Sequence, residues 1–313
     1  MHRAPALFAE LRGVIDERRT AGERTGQFLL LGSASLDLVQ QASETLAGRI
    51  AYVEMTPITA SEALAVQLPL ERLWSRGGFP DSLTAADDAA SLEWRQDFIS
   101  SYLERDVPLF APRLPARTIG RLWTMLAHAQ GTLLNGARLA QGLGVSAPMT
   151  ARYVDLLDDL MLVRRLQPWS GNLGKRLVKS PKVYVRDSGL VHALLEIGDL
   201  EGLLGHPVVG ASWEGFVIET LIAAAGPRST PLHYRTADGA EIDLVIERAG
   251  KPAFAIEVER SSAPVVSPGF HRAADDIGAA RRLVVAPVEG RYPVKGGAEV
   301  MGLMRAAIEV ASR

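Results

Sequence analysis

Cysteine is absent from all 313 residues. Disulfides, thiolate zinc sites and cysteine nucleophiles are thereby excluded, and the absence fits a reducing cytoplasm, the expected location. No apolar run approaches the roughly 20 residues needed to span a bilayer. Arg3, Glu10 and Arg12 stand where a signal peptide would need its apolar core, so no membrane contact is expected. A large charge of one sign is also lacking. The net charge of −2 excludes a uniformly basic nucleic-acid coat and leaves only local patches. No G-x-S-x-G stands in the chain, which removes the nucleophile elbow of a serine hydrolase. The histidines, at 2, 128, 192, 206, 233 and 271, show no metal-ligand spacing.

What is present is ordinary globular composition, 47% hydrophobic and 22% charged, in a chain long enough for two or three domains. The patterning indicates a multidomain α/β protein in three parts, 1–62, 63–195 and 196–313. Residues 5–19 place Leu7, Phe8, Leu11, Val14 and Ile15 on one helical face. The run FLLLGSAS (28–35) ends four apolar residues in a glycine and small hydroxyls, the form of a strand buried on both faces of a parallel sheet. Ligands gather at the carboxyl ends of such strands, where Ser33 and Ser35 stand. A helix over 36–47 and a strand over 49–55 complete a helix–strand–helix–strand order.

The middle part is helical over 66–76, 91–110 and 116–131. A short helix (136–141) then meets a glycine turn. Ser146 is placed to cap the next helix, with Pro148 in its first turn. Met149, Tyr153, Leu156, Leu157 and Leu160 share a face of it, and Leu162, Val163 and Leu166 begin a strand. Helix–turn–helix–strand is the winged-helix order. QGLGVSA (141–147) matches G-x-G-x-x-A, but a helix precedes it where a dinucleotide loop needs a strand; it reads as a glycine turn. Asp155, Asp158 and Asp159 against Arg152 would repel phosphate on that helix face. The following segment, 160–187, carries Arg164, Arg165, Lys175, Arg176, Lys179, Lys182 and Arg186 against Asp187 alone, a local charge of +6. Trp169 and Tyr184 are interleaved with these cations. A stripe of this kind can hold nucleic acid, the aromatics stacking on bases, or a protein partner.

The sharpest constellation lies in the third part. A helix over 212–225 carries Glu214. Strands over 231–236, 241–248 and 253–259 follow, with Asp243 in EIDLVIE and Glu257 in AIEVERS. A hairpin of this length brings Asp243 and Glu257 side by side. Three carboxylates at one sheet edge are how a protein holds magnesium for phosphodiester cleavage, with Asp243 and Glu257 as metal ligands. A helix near 271–280 and a strand over 282–286 complete the domain. The order resembles the restriction-endonuclease-like PD-(D/E)XK fold. The position of its lysine is Glu259 here, which carries the opposite charge. Arg260 comes next but faces the other way on a strand. The resemblance therefore implies a nuclease-like domain whose catalytic set Glu214, Asp243 and Glu257 is degenerate.

Taken together, GSAS, SETLAGRIAYVEMTPIT, RGGFP, YLERDV, LLNGARLAQGLGVS, PWSGNLGKRLVKSPKVYVRDSGL, HPVVGASWEGFVIE, YRTADGAEIDLVIE and AIEVERSS resemble, over nearly the whole chain, a group of bacterial and archaeal AAA-type P-loop ATPases. These carry a C-terminal nuclease-like domain of unknown function. The resemblance implies ATP and magnesium as ligands, Ser33 at a sensor position and Arg49 as an arginine on phosphate charge. No G-x-x-x-x-G-K-[ST] occurs in the 313 residues. The expectation is therefore a chain lacking the Walker A and Walker B segments, without ATPase activity of its own. The two N-terminal strands would then have open edges through which copies could associate.

Overall fold

The computed structural model describes residues 6–31, 46–110, 114–171 and 176–312. Ser33, Ser35, most of the helix expected over 36–47 and Lys175 lie outside the described residues.

Helix α1 (Ala6–Thr20) buries Phe8, Leu11 and Ile15 against Leu46, with Leu30 and Ile50 at the margin. Val14, on the expected stripe, is exposed. The partial parallel sheet expected here requires correction. Residues 28–31 and 50–55 form no strand. A strand needs a neighbour to take its backbone N–H and C=O groups, and no strand stands beside either stretch among the described residues. Leu29 and Leu31, from the run expected to be a doubly buried strand, and Val53 and Met55, from the second expected strand, are instead exposed.

The helical middle is built from well-marked ends. Helix α2 (Ala60–Ala65) opens in a capping box, Thr59 with Glu62. Helix α3 (Leu70–Arg76) stops at Gly77, whose φ of +79° suits glycine. A single turn, Pro80–Leu83, leads to α4 (Asp88–Ser101), capped by Asp87. Helix α5 (Ala116–His128) buries Ile119, Leu122, Trp123 and Leu126, the spacing of one helical face. Helix α6 (Gly136–Leu143) is capped by Asn135 and ends at left-handed Gly144. Ser146 caps α7 (Ala147–Asp159), with a proline in its first turn. Tyr153, Leu156 and Leu157 are buried on α7, while Met149 at its open end is exposed. Strands β1 (Val163–Pro168) and β2 (Lys182–Val185) pair antiparallel, and Leu133 bridges to Lys182 on the outer side of β2. Gly142 thus lies inside α6, and of the two glycines only Gly144 stands between the helices.

A buried polar joint locks this part together. Asp187 caps α8 (Ser188–Leu194) by accepting the Leu190 N–H at 2.9 Å, and its other oxygen accepts the Gly78 N–H at 2.8 Å. A Cβ on Gly189 would sit 2.2 Å from the Arg76 carbonyl oxygen, so RGGFP and VRDSGL meet backbone to backbone.

Helix α9 (Val209–Ala225) carries Trp213, Phe216, Val217 and Leu221 into the core. Strands β3 (Ser229–Arg235), β4 (Glu241–Arg248) and β5 (Lys251–Val258) form an antiparallel meander. Then come α10 (Pro268–Ile277), β6 (Arg281–Val285), β7 (Arg291–Val294), β8 (Ala298–Met301) and α11 (Leu303–Ala311). The sheet is mixed, in the order β2-β1-β3-β4-β5-β6-β8-β7. Its period-2 alternation sends Leu244 and Ile246 toward α9 and α11, and Val245 toward α10. Strand β1 joins β3 in parallel at Gln167–Leu232 and Pro168–His233, so the helical middle and the C-terminal part share one sheet. No helix among the described residues is long and apolar enough to cross a membrane.

Candidate functional site

The β4–β5 hairpin positions the acids. The pairing of Leu244 with Ile256 puts Asp243 and Glu257 at the adjoining position of the ladder. Asp243 Oδ2 accepts the Val258 N–H at 3.0 Å, which fixes its carboxylate against β5. Glu214 arrives from the first half of α9. Glu241, two residues before Asp243 on β4, joins the same group.

The cation at their centre comes from elsewhere in the chain. Lys182, on β2, sends its Nζ to Glu241 Oε1 at 2.8 Å, Asp243 Oδ1 at 2.9 Å and Glu214 Oε1 at 3.1 Å. Only 3% of its side chain is exposed. Tyr184, two residues on and on the same face of β2, donates its hydroxyl to Glu214 Oε1 at 2.6 Å. Burial opposes the Lys182 charge, but Asp243, Glu214 and Glu241 outweigh it and raise its pKa. Burial, reinforced by the Glu214 charge, also raises the Tyr184 phenol. Glu214 is pushed up to about 7 by burial and then by Asp243. Glu257 is also pushed up to about 7, by burial, Asp243 and Glu259 in that order. Its Oε1 takes the Ser267 hydroxyl at 3.3 Å, while its Oε2 is buried with no hydrogen-bond partner. Burial and Asp243 raise Glu259 as well.

The expected acids Glu214 and Asp243 are thus bridged by one ammonium, with Glu257 beside Asp243. Glu259 stands at the position where the resembled fold has its lysine, and Lys182 brings the ammonium from another strand. Arg260 points away, its guanidinium 5.4 Å from the Trp74 ring centre. Among the described residues no group of three or more acidic or imidazole side chains is arranged to hold a metal ion. As they stand, the residues do not fit magnesium, because Lys182 Nζ fills the space between the carboxylates.

The basic stripe is largely spoken for. Lys182 and Tyr184 are interior, so neither forms the surface stripe expected of them. Arg164 pairs with Glu219, which also takes Arg186 at 3.1 Å. Arg186 reaches Glu54 as well. Arg165 holds both Asp155, at 2.6 Å, and Asp158, at 2.8 Å, so two of the α7 acids are neutralised from β1. Trp169 is half-buried against Tyr234 and donates to Glu247. Arg176 and Lys179 remain exposed. Their loop is docked on β3: the Ala237 N–H bonds the Arg176 carbonyl and the Val178 N–H bonds that of Arg235. Arg49 forms a two-bond ion pair with Asp16 of α1, at 2.6 and 2.9 Å. That hydrogen bond, foremost, holds the Asp16 carboxyl below its ordinary value.

Lys182, Tyr184 and Glu241 were not anticipated as members of this site. The available signal was KVYV, a strand with a lysine and a tyrosine on one face and valines on the other.

Comparison with known proteins matches three segments of the chain. Residues 1–64 match an AAA domain, 67–201 a domain of unknown function (DUF8612), and 209–306 another domain of unknown function (DUF4143). Lys182 and Tyr184 therefore belong to one matched segment and Glu214, Asp243 and Glu257 to the next. An uncharacterized protein of Mycobacterium tuberculosis and one of Mycobacterium bovis are each 45% identical to the chain over 293 residues. That alignment covers 93% of this chain and 64% of each relative. No solved structure matches the chain.

Proposed function

With residues 1–64 similar to an AAA domain, we propose that the chain serves an AAA-type ATP-binding protein as its nucleic-acid-contacting part, a winged-helix element fused to a nuclease-like domain that does not cut. The reading includes no ATP turnover by these 313 residues alone, which contain no Walker A sequence. One observation carries it: α5, the Leu133 bridge, α6, α7, β1, a loop and β2 follow in winged-helix order, and β2 runs directly into the carboxylate group of the β4–β5 hairpin. Arg165 neutralises Asp155 and Asp158, and exposed cations remain at Arg138 on α6, Arg152 on α7, and Arg176 and Lys179 on the loop. Arg176, Leu177, Val178, Lys179 and Ala237 line an open cavity of about 640 Å³.

The test is fluorescence anisotropy with a short DNA duplex over a salt series. Affinity is expected to fall as salt rises. The Arg176→Glu/Lys179→Glu double variant should weaken binding at least about tenfold and reduce the log–log salt slope by about 2. Binding absent at low salt, or indifferent to both reversals, would sink the proposal. A second reading, a metal-dependent nuclease on Glu214, Asp243 and Glu257, would need Lys182 to leave the carboxylates it bridges. Magnesium-dependent nicking by the wild type that Asp243→Ala abolishes would put that reading in place of the first.

A further inference from the structure

We propose that the Lys182 ammonium is the resident cation of the Glu214–Glu241–Asp243 group, and that it holds shut a latent divalent-cation site built across two segments of the chain. The geometry supports this at four points. The ammonium is almost wholly buried and satisfies all three of its N–H donors on carboxylates, at 2.8, 2.9 and 3.1 Å. A lysine carries three donors and no acceptor, so no proton is left to point at a substrate. Each of the three acids has a further partner: Tyr184 also serves Glu214, Arg235 serves Glu241 at 3.1 Å, and the Val258 N–H serves Asp243. Glu257, beside Asp243 on the ladder, takes the Ser267 hydroxyl on Oε1 and has no partner on its buried Oε2, so the acids outnumber the cations Lys182 and Arg235 beside them.

The arrangement has a physical reason. Carboxylates this close repel one another and must be neutralised by a cation or by protons. A divalent ion would do so from solvent. Here the chain supplies the charge itself, from a strand that precedes α9 and is paired with β1 rather than with the hairpin. Closing the site in this way makes the seating of β2 on the C-terminal part a condition of charge balance. The inference borrows from the nuclease-like reading only the expectation that a divalent ion belongs between these acids. It needs no nucleic acid for its test.

The experiment is terbium luminescence and manganese electron-spin titration on the whole chain near neutral pH, compared among wild type, Lys182→Met and Lys182→Met/Asp243→Asn. The wild type is expected to bind neither ion at this site. The methionine variant should gain binding by at least about tenfold, and the double variant should lose that gain. Lys182→Gln, closer in shape and hydrogen bonding, replaces the methionine variant if circular dichroism shows the latter unfolded. Wild-type binding that Asp243→Asn removes would overturn the inference, since the site would then be open with Lys182 in place. A folded Lys182 variant that gains no affinity would overturn it too. Neither result bears on the salt-dependent DNA binding tested above, so the two proposals fail separately.

Discussion

Replacing Asp187 with alanine is expected to lower stability by about 3–5 kcal/mol, the range for stripping a partner from a buried charged network. The change shows as a large fall in the urea midpoint. Three losses combine. Helix α8 loses its N-cap, worth about 1 kcal/mol alone. The Gly78 N–H is left buried without an acceptor, a further cost of about 1–3 kcal/mol. Arg95, 1% exposed, loses its principal nearby negative charge. The Arg95 guanidinium is bonded to the carbonyls of Ser91, Ser75 and Gly189 and to no carboxylate, and burial has already brought its pKa down to about 10. Asp187→Asn, which keeps an acceptor but not the charge, should fall between wild type and alanine. A loss no larger than the cap alone would show that the RGGFP–VRDSGL joint contributes little beyond it. The same joint accepts no Cβ at Gly78, where one would meet the Ile58 carbonyl oxygen at 2.7 Å.

This joint illustrates what the sequence made legible and what it did not. RGGFP and VRDSGL stood out as motifs, but nothing in either announced the other as its partner, 109 residues away along the chain. Local signals served well where local physics decides. Ser146 with its proline and the glycine turn at Gly144 mark helix ends by satisfying backbone groups within one turn. The alternation in EIDLVIE placed Asp243 opposite Glu257 because hairpin register follows from turn length. FLLL and IAYV failed for the complementary reason. Apolar composition says that a strand could be buried, but pairing needs neighbours, and none stands beside these stretches among the described residues. Lys182 was read as surface charge because a lone lysine usually is. Its three carboxylates lie 32, 59 and 61 residues further on. Strands β2, β7 and β8 and helix α11 went unforeseen as well; β2 is four residues long and its alternation too brief to read by period.

The group around Asp243 should also make stability fall as pH rises through neutrality, and Glu257→Gln should flatten that fall. The sign follows from the raised carboxyls. Glu214 and Glu257 hold their protons up to about 7 in the folded chain, against an ordinary value of 4.5. A carboxyl raised on folding contributes stability that is present below 4.5 and lost as pH rises through 7. Two histidines pull the other way at lower pH. His192 and His233 are each pushed down to about 4, chiefly by burial. Their contribution is present above 6.5 and lost as pH drops toward 4. Between about pH 5 and 6 the two pairs offset each other; from about 6.5 to 7.5 the carboxyls act unopposed and the slope is downward, and above that it levels off. Glu257 isolates the effect, because its bond to Ser267 survives the change to an amide and its Oε2 has no partner to lose. Glutamine mimics the protonated acid, so wild type and variant should unfold together near pH 4, below the ordinary carboxyl value. Near pH 8 the variant should be the more stable, by about 1 kcal/mol once solvent screening of this half-buried group is allowed for. Thermal unfolding of both proteins across that range reads the difference directly. A variant less stable than wild type at pH 8 would mean that the charged Glu257 is held by a favourable partner, and that the group is not short of positive charge.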